Sequence, residues 1–435
     1  MRISRKNILW FIVVIYPLIP YYFTLFGINA TNIVAILISC AIIALYKERI
    51  FIFKRDRLFT TFLLACLCQT LSMAINGSME ALYYVLKIVL PFYYLTVLIQ
   101  TKEDFSYVIE NVVNASGVLC IFGIIEEVTH FNIFSLLNTS GSTLNYNALR
   151  FGLLRIISFT GQAITYGIYI MFCLCLCMYL IQVNKESKKK HKLIIIYALL
   201  WINAILTLSR SSILCCLLSQ VLLLFFCGAK KTLKTISLVS LILIMIIGSA
   251  CIFSDVARTA VMNFVLMLAA VFDPTYSSLI STSFGNDNLI AQGHRIDLYS
   301  WVIESMNGKW LFGNGYDVQF SYSHDVVTDG WTWTSTKTSI EVQSLFLLFH
   351  YGIITVATHY IAYILTLLNS WKNRKIRINE ERALGFNGVM CSIIVTYLFY
   401  FLANSIGSEE FLFYILIALF IAYNRLTNVI NQEGL

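Results

Sequence analysis

The chain has 435 residues, 58% of them hydrophobic and only 12% charged, with a mean hydropathy of +0.76. Soluble domains carry roughly twice that share of charge, so a soluble globular protein is excluded and the apolar residues must face lipid. The net charge of +8 need not mean a nucleic-acid partner, because Lys and Arg collect in the cytoplasmic loops of membrane proteins.

From the N-terminus, the basic stretch Met1–Asn7 runs straight into an apolar segment with no small-residue cleavage site, which predicts an uncleaved first helix. Runs of about 20 apolar residues cross a hydrocarbon core of about 30 Å. Twelve are predicted in chain order, at 8–26, 31–46, 58–75, 81–99, 106–125, 159–182, 193–208, 211–227, 236–253, 341–369, 386–403 and 410–424. The fold expected is an all-α polytopic membrane protein. Residues 1–253 hold nine helices and a shorter outer segment at 126–158. Residues 254–340 form one large outer loop, and residues 341–435 the last three helices and a tail. The apolar stretch Val256–Phe272 is predicted to lie flat in the interface or re-enter it, since a further crossing would invert the helices after it.

With both termini cytoplasmic, the basic groups Arg2–Lys6, Lys47–Arg57, Lys102, Lys185–Lys192, Lys230–Lys234, Lys372–Arg382 and Arg425 all fall inside. They account for 23 of the 31 basic residues, as the positive-inside rule demands. The eight against the bias are Lys87, Arg150, Arg155, Arg210, Arg258, Arg295, Lys309 and Lys337. The twelve cysteines lie nearly all in apolar runs, with no pair at metal-ligand spacing, so they read as small hydrophobes.

Three segments on the outer side carry chemistry. In Thr207-Leu-Ser-Arg-Ser-Ser212, Arg210 either snorkels to headgroups or holds a phosphate together with Ser209, Ser211 and Ser212, a set that suits a dianion at a helix start. In Gly293-His-Arg-Ile-Asp-Leu-Tyr-Ser-Trp301 and Trp310-Leu-Phe-Gly-Asn-Gly-Tyr316, Arg295 opens a predicted helix beside His294, and Gly313 and Gly315 form a turn. Arg295 either pairs with Asp297 or faces substrate. In Ile340–Gly352, Glu341 stands at the mouth of an apolar helix, there to stabilise its dipole or to act as a general base. The loop aromatics Trp301, Trp310, Tyr316, Tyr322, Trp331 and Trp333 suit carbohydrate or interfacial anchoring. His324 is an acid–base candidate or an ordinary loop residue.

Together these three segments resemble the bacterial O-antigen polymerase and ligase superfamily. Thr207–Ser211 is similar to its signature turn, Arg295–Trp301 with Phe312-Gly-Asn-Gly315 to its loop motif, and Glu341–Gly352 to its loop-to-helix element. Ile124–Thr129 and Arg155–Gly161 also resemble the family's outer segment, so the likeness runs from about residue 124 to 352. Many ligases carry His-Asn where this chain has Glu341-Val342, a departure that favours polymerase. The resemblance implies a GT-C-like glycosyltransferase of the bacterial inner membrane with its site facing the periplasm. Its substrates would be undecaprenyl-diphosphate-linked oligosaccharides, and a flippase and a chain-length regulator would be its partners. Arg210 and Arg295 would neutralise the leaving lipid diphosphate and Glu341 would take the acceptor proton. Arg155, Ser209, Ser211, His294, Trp301, Tyr316 and His324 would bind substrate, with no metal or cofactor. The alternatives are a ligase acting on lipid A core, and a transporter of lipid-linked oligosaccharides. A glycosyltransferase with an acidic first outer loop fits poorly, because Gly27–Asn32 holds no acid.

Overall fold

A computed structural model describes residues 4–46, 56–141, 149–150, 153–184, 186–227, 229–269, 273, 275–276, 294–328, 331–374, 385–403 and 410–433. The chain is mostly helical, and every predicted apolar segment lies largely in a helix. Five helices among the described residues are long and apolar enough to cross a membrane: Arg57–Ile75, Glu80–Leu98, Lys102–Thr129, Ala163–Val183 and Gln343–Lys372.

Local chemistry sets several boundaries. Asp56 accepts from the Leu58 and Phe59 amides and starts Arg57–Ile75. Thr101 and Asp104 cap Lys102–Thr129 reciprocally, satisfying amides that the helix itself leaves unpaired. Asp104 is buried, and Arg5 pairs with it at 2.8 Å, tying the first helix to Lys102–Thr129.

The Ala163–Val183 helix is the centre of the bundle, with nearly all of its side chains buried. It packs on Lys102–Thr129, Ser187–Leu206, Arg210–Cys227 and Phe386–Ala403. Cys173, Cys175 and Cys177 sit fully buried along it, as small apolar side chains do in a close-packed interior.

One expectation is corrected. The first helix does not reach residue 26: it passes through a π turn at Phe11–Ile15 and a 3-10 turn at Tyr16–Leu18, then gives way to extended chain. Pro17 and Pro20 lack amide hydrogens and stop it. Within residues 254–340, Tyr322–Thr328 and Trp331–Lys337 form an antiparallel hairpin with Tyr322 opposite Lys337. The segment predicted at 256–272 is helical over Asp255–Ala269, which follows Ala229–Phe253 after Ser254; residues 270–272 lie outside the described residues.

The last long apolar helix is broken. Gly352 has φ 80° and ψ 178° in the middle of Gln343–Lys372, a conformation open essentially to glycine alone. The break leaves backbone groups without helical partners, and the 310–315 segment takes them. The Asn314 and Gly315 amides donate to the Phe349 and His350 carbonyls at 2.7 and 3.1 Å, while Ile353 N–H donates to the Trp310 carbonyl at 2.8 Å. Ser72 and Asn76, at the end of Arg57–Ile75, donate to the Phe312 carbonyl at 2.6 and 3.1 Å. Gly313 and Gly352 face each other across this joint, so neither has room for a side chain.

Candidate functional site

The Thr207–Ser212 turn joins Ser187–Leu206 to Arg210–Cys227. Leu208 turns the chain with a φ of 48°, and Thr207, Ser209 and Ser212 are buried. Their hydroxyls form a chain: Ser212 Oγ donates to Ser209 Oγ at 3.0 Å, and Ser209 and Ser211 share a 3.3 Å bond. Ser212 Oγ also reaches the Ile164 carbonyl at 3.0 Å. A side chain at Gly167 would collide with Ser212, so a glycine there lets the turn close on the central helix. Arg210 opens its helix at this spot and is half-buried.

Arg155 comes to the same turn from the segment after Leu153–Leu154. Its Nε donates to the Thr207 carbonyl at 3.4 Å, and the Ile156 amide donates to the Leu206 carbonyl at 3.3 Å. The segment that carries Arg155 is held from the other side by two adjacent carboxylates. Glu126, buried, accepts from the Ile157 and Ser158 amides at 3.1 and 3.0 Å. Glu127 accepts from the Leu154 amide at 3.3 Å. Asn132 Nδ2 donates to the Ser158 carbonyl at 2.9 Å. Four of the predicted residues, Arg155, Ser209, Arg210 and Ser211, therefore belong to one assembly. Two guanidiniums, a hydroxyl chain and a helix start are chemically equipped to hold a phosphorylated group.

A second assembly forms around Trp301. Helix His294–Glu304 packs on the hairpin and on the start of Gln343–Lys372 through Leu298, Trp301, Val302, Met306, Phe320, Ile340, Val342, Leu345 and Phe349. Trp301 is only 8% exposed and stacks on Tyr322 at 5.3 Å and on His324 at 4.3 Å. Its ring faces are thus used inside the loop, and it serves as a core residue where a sugar-binding face was an open reading. Tyr322 donates to the Glu304 carboxylate at 2.6 Å, and that bond pushes its phenol up from the ordinary tyrosine value. Tyr316 follows the Gly313–Gly315 turn beside His350, with 38% of its surface exposed. The helix predicted to open at Arg295 does begin at His294; the side chains of His294 and Arg295 lie outside the described residues.

Glu341 precedes the helix start, with Val342 as its cap. Its carboxylate pairs with Lys337 at 2.6 Å, and 45% of its side chain is exposed. Among the described residues, no three His, Cys, Asp or Glu side chains gather as a metal site requires. Two residues that sequence reasoning passed over are Glu126, as the holder of the Arg155 segment, and Gly352, as the break. The available signals were a carboxylate pair at the end of an apolar run and a lone glycine within one.

A scan against protein-family models finds no match for this chain, and a search of curated proteins finds none.

Proposed function

We propose that the chain is a glycosyltransferase of the bacterial inner membrane. It would extend a surface polysaccharide at the periplasmic face by moving a growing glycan from its undecaprenyl diphosphate onto an incoming lipid-linked repeat. The observation that carries this reading is the bond from Arg155 to the Thr207 carbonyl, at the head of the turn where Ser209 and Ser211 are hydrogen-bonded, together with the likeness of both segments to O-antigen polymerases.

In the reaction, the acceptor hydroxyl attacks the anomeric carbon of the donor and its proton passes to Glu341. The bond from that carbon to the lipid diphosphate breaks, and the diphosphate leaves with the electron pair. Negative charge develops on the leaving oxygen, where preorganised cations are most effective. Arg155 and Arg210 meet it at the turn, with Arg295 as the third cation. Lys337 holds the Glu341 carboxylate at the loop-to-helix junction.

A transporter would also explain a broken apolar helix, since half-helix ends often line ion sites. Here the Phe349 and His350 carbonyls and the Ile353 amide are taken by residues 310–315. The break is therefore a closed joint, which counts against that alternative.

The genetic test replaces Arg210 and Glu341 by alanine in the producing strain. Loss of polymerisation leaves lipid A core bearing a single repeat unit. Loss of ligation instead leaves polymer on the lipid carrier and bare cores, and would make the chain a ligase. Unchanged glycan length in both variants would refute the site.

A further inference from the structure

Glu126 has no chemical role in the reaction above, yet it is a carboxylate with 2% exposure at the end of an apolar helix. Burying a charge is costly unless it is fully hydrogen-bonded, so its two bonds identify what it is there to hold. Both oxygens are used, one on the Ile157 amide and one on the Ser158 amide. Ser158 sits at φ 48°, a left-handed conformation that a non-glycine residue adopts only when its surroundings impose it. Asn132 holds the carbonyl of the same residue. Three residues upstream the extended segment presents Arg155, and between them the Ile156 amide bonds the Leu206 carbonyl. The segment is thus gripped on one side by Glu126 and Asn132 and laid on the other against the Leu206–Thr207 backbone.

We infer that Glu126 is a positioning residue: by fixing the backbone of Ile157 and Ser158 it sets where the Arg155 guanidinium stands at the Thr207–Ser211 turn, and so the affinity of the site for an isoprenoid diphosphate. This rests on the diphosphate reading of that turn. Glu126 never touches the ligand, and its effect passes entirely through Arg155. Glutamine at 126 keeps one acceptor but turns an amide N–H toward a backbone N–H, so one of the two bonds is lost and the segment is free to shift. A displacement of about 1 Å is enough to matter for a bidentate charge contact.

The test is calorimetric titration of the purified full-length protein with farnesyl diphosphate. The variants are Glu126→Gln, Asn132→Ala, Arg155→Gln and the double variant Glu126→Gln/Arg155→Gln. Asn132→Ala loosens the same segment from its neighbouring contact and serves where Glu126→Gln does not yield folded protein. Loss of about one charge-assisted hydrogen bond corresponds to roughly a tenfold weaker Kd. We expect about that for Glu126→Gln, a smaller loss for Asn132→Ala, and at least a tenfold loss for Arg155→Gln. The double variant should bind no more weakly than Arg155→Gln alone, because a residue acting only through Arg155 has nothing left to position. Additive losses would make Glu126 merely structural and overturn the inference. Wild-type binding by both Glu126→Gln and Asn132→Ala, with Arg155→Gln weakened, would overturn it while sparing the diphosphate site. Wild-type binding by Arg155→Gln would remove the diphosphate reading and this inference together.

Discussion

The joint at Gly352 makes the sharpest stability prediction, through Gly352→Ala. A Cβ there would collide with the Leu311 carbonyl oxygen and lie 2.6 Å from the Gly313 nitrogen. Those atoms are backbone, so no side chain can swing away. The conformation itself, φ 80° with ψ 178°, costs a non-glycine residue about 1–3 kcal/mol. Forcing a methyl group into a packed joint costs about 1–3 kcal/mol more. Relief would require parting the 310–315 segment from the Phe349 and His350 carbonyls, which breaks the hydrogen bonds that seal the helix. Detergent-purified protein offers a direct assay, because many of its thiols are buried and a thiol-reactive dye reports their exposure on heating. The melting temperature should fall by several degrees, a size consistent with such a free-energy loss in a large domain. Gly248→Ala is the control: a Cβ there meets nothing within 4 Å, and alanine is the better helix former by about 1 kcal/mol. Equal melting of Gly352→Ala and wild type would refute the account of the broken helix.

Three further outcomes follow from the loop around Trp301. Trp301→Ala should cost about 3–5 kcal/mol and open the loop to limited proteolysis within 294–337, whereas a face reserved for sugar would leave proteolysis unchanged. The Lys337–Glu341 pair is partly exposed, so a double-mutant cycle on melting should give a coupling below about 1 kcal/mol, yet Glu341→Gln should still abolish chain extension. The Tyr322 phenol is raised because its neutral form donates to Glu304. That bond's contribution is therefore complete below the ordinary tyrosine pKa of about 10 and is lost as pH rises through the raised value. An ultraviolet titration in which Tyr322→Phe removes only an ordinary tyrosine step would contradict it.

The helices were legible because lipid requires long apolar runs, and the arginines stood out because they broke a charge pattern that topology otherwise explains. Arg155 and the Thr207–Ser211 turn could each be picked out, but the bond from Arg155 to Thr207 spans 52 residues and depends on the path of residues 130–158. That path is set by Glu126 and Glu127, whose position beside an apolar run was the readable clue. The hairpin was missed although Tyr322, His324 and Trp331, Trp333 alternate with polar residues around Asp329-Gly330, a strand-turn-strand pattern. Those aromatics suited sugar equally well, and the stacking of Tyr322 and His324 on Trp301 depends on a pairing that sequence alone does not reveal. The first helix was drawn too long because hydropathy does not register Pro17 and Pro20. Gly352 is invisible to composition: one glycine in an apolar run signals a break only when another segment arrives to bond its freed carbonyls.

Purified protein, supplied with a lipid-diphosphate-linked repeat unit and no nucleotide sugar, tests the proposed activity most directly. The account predicts a ladder of lengthening glycans with release of free lipid diphosphate, and neither product from Arg210→Ala. No extension by the wild type, or the same ladder from Arg210→Ala, would contradict it.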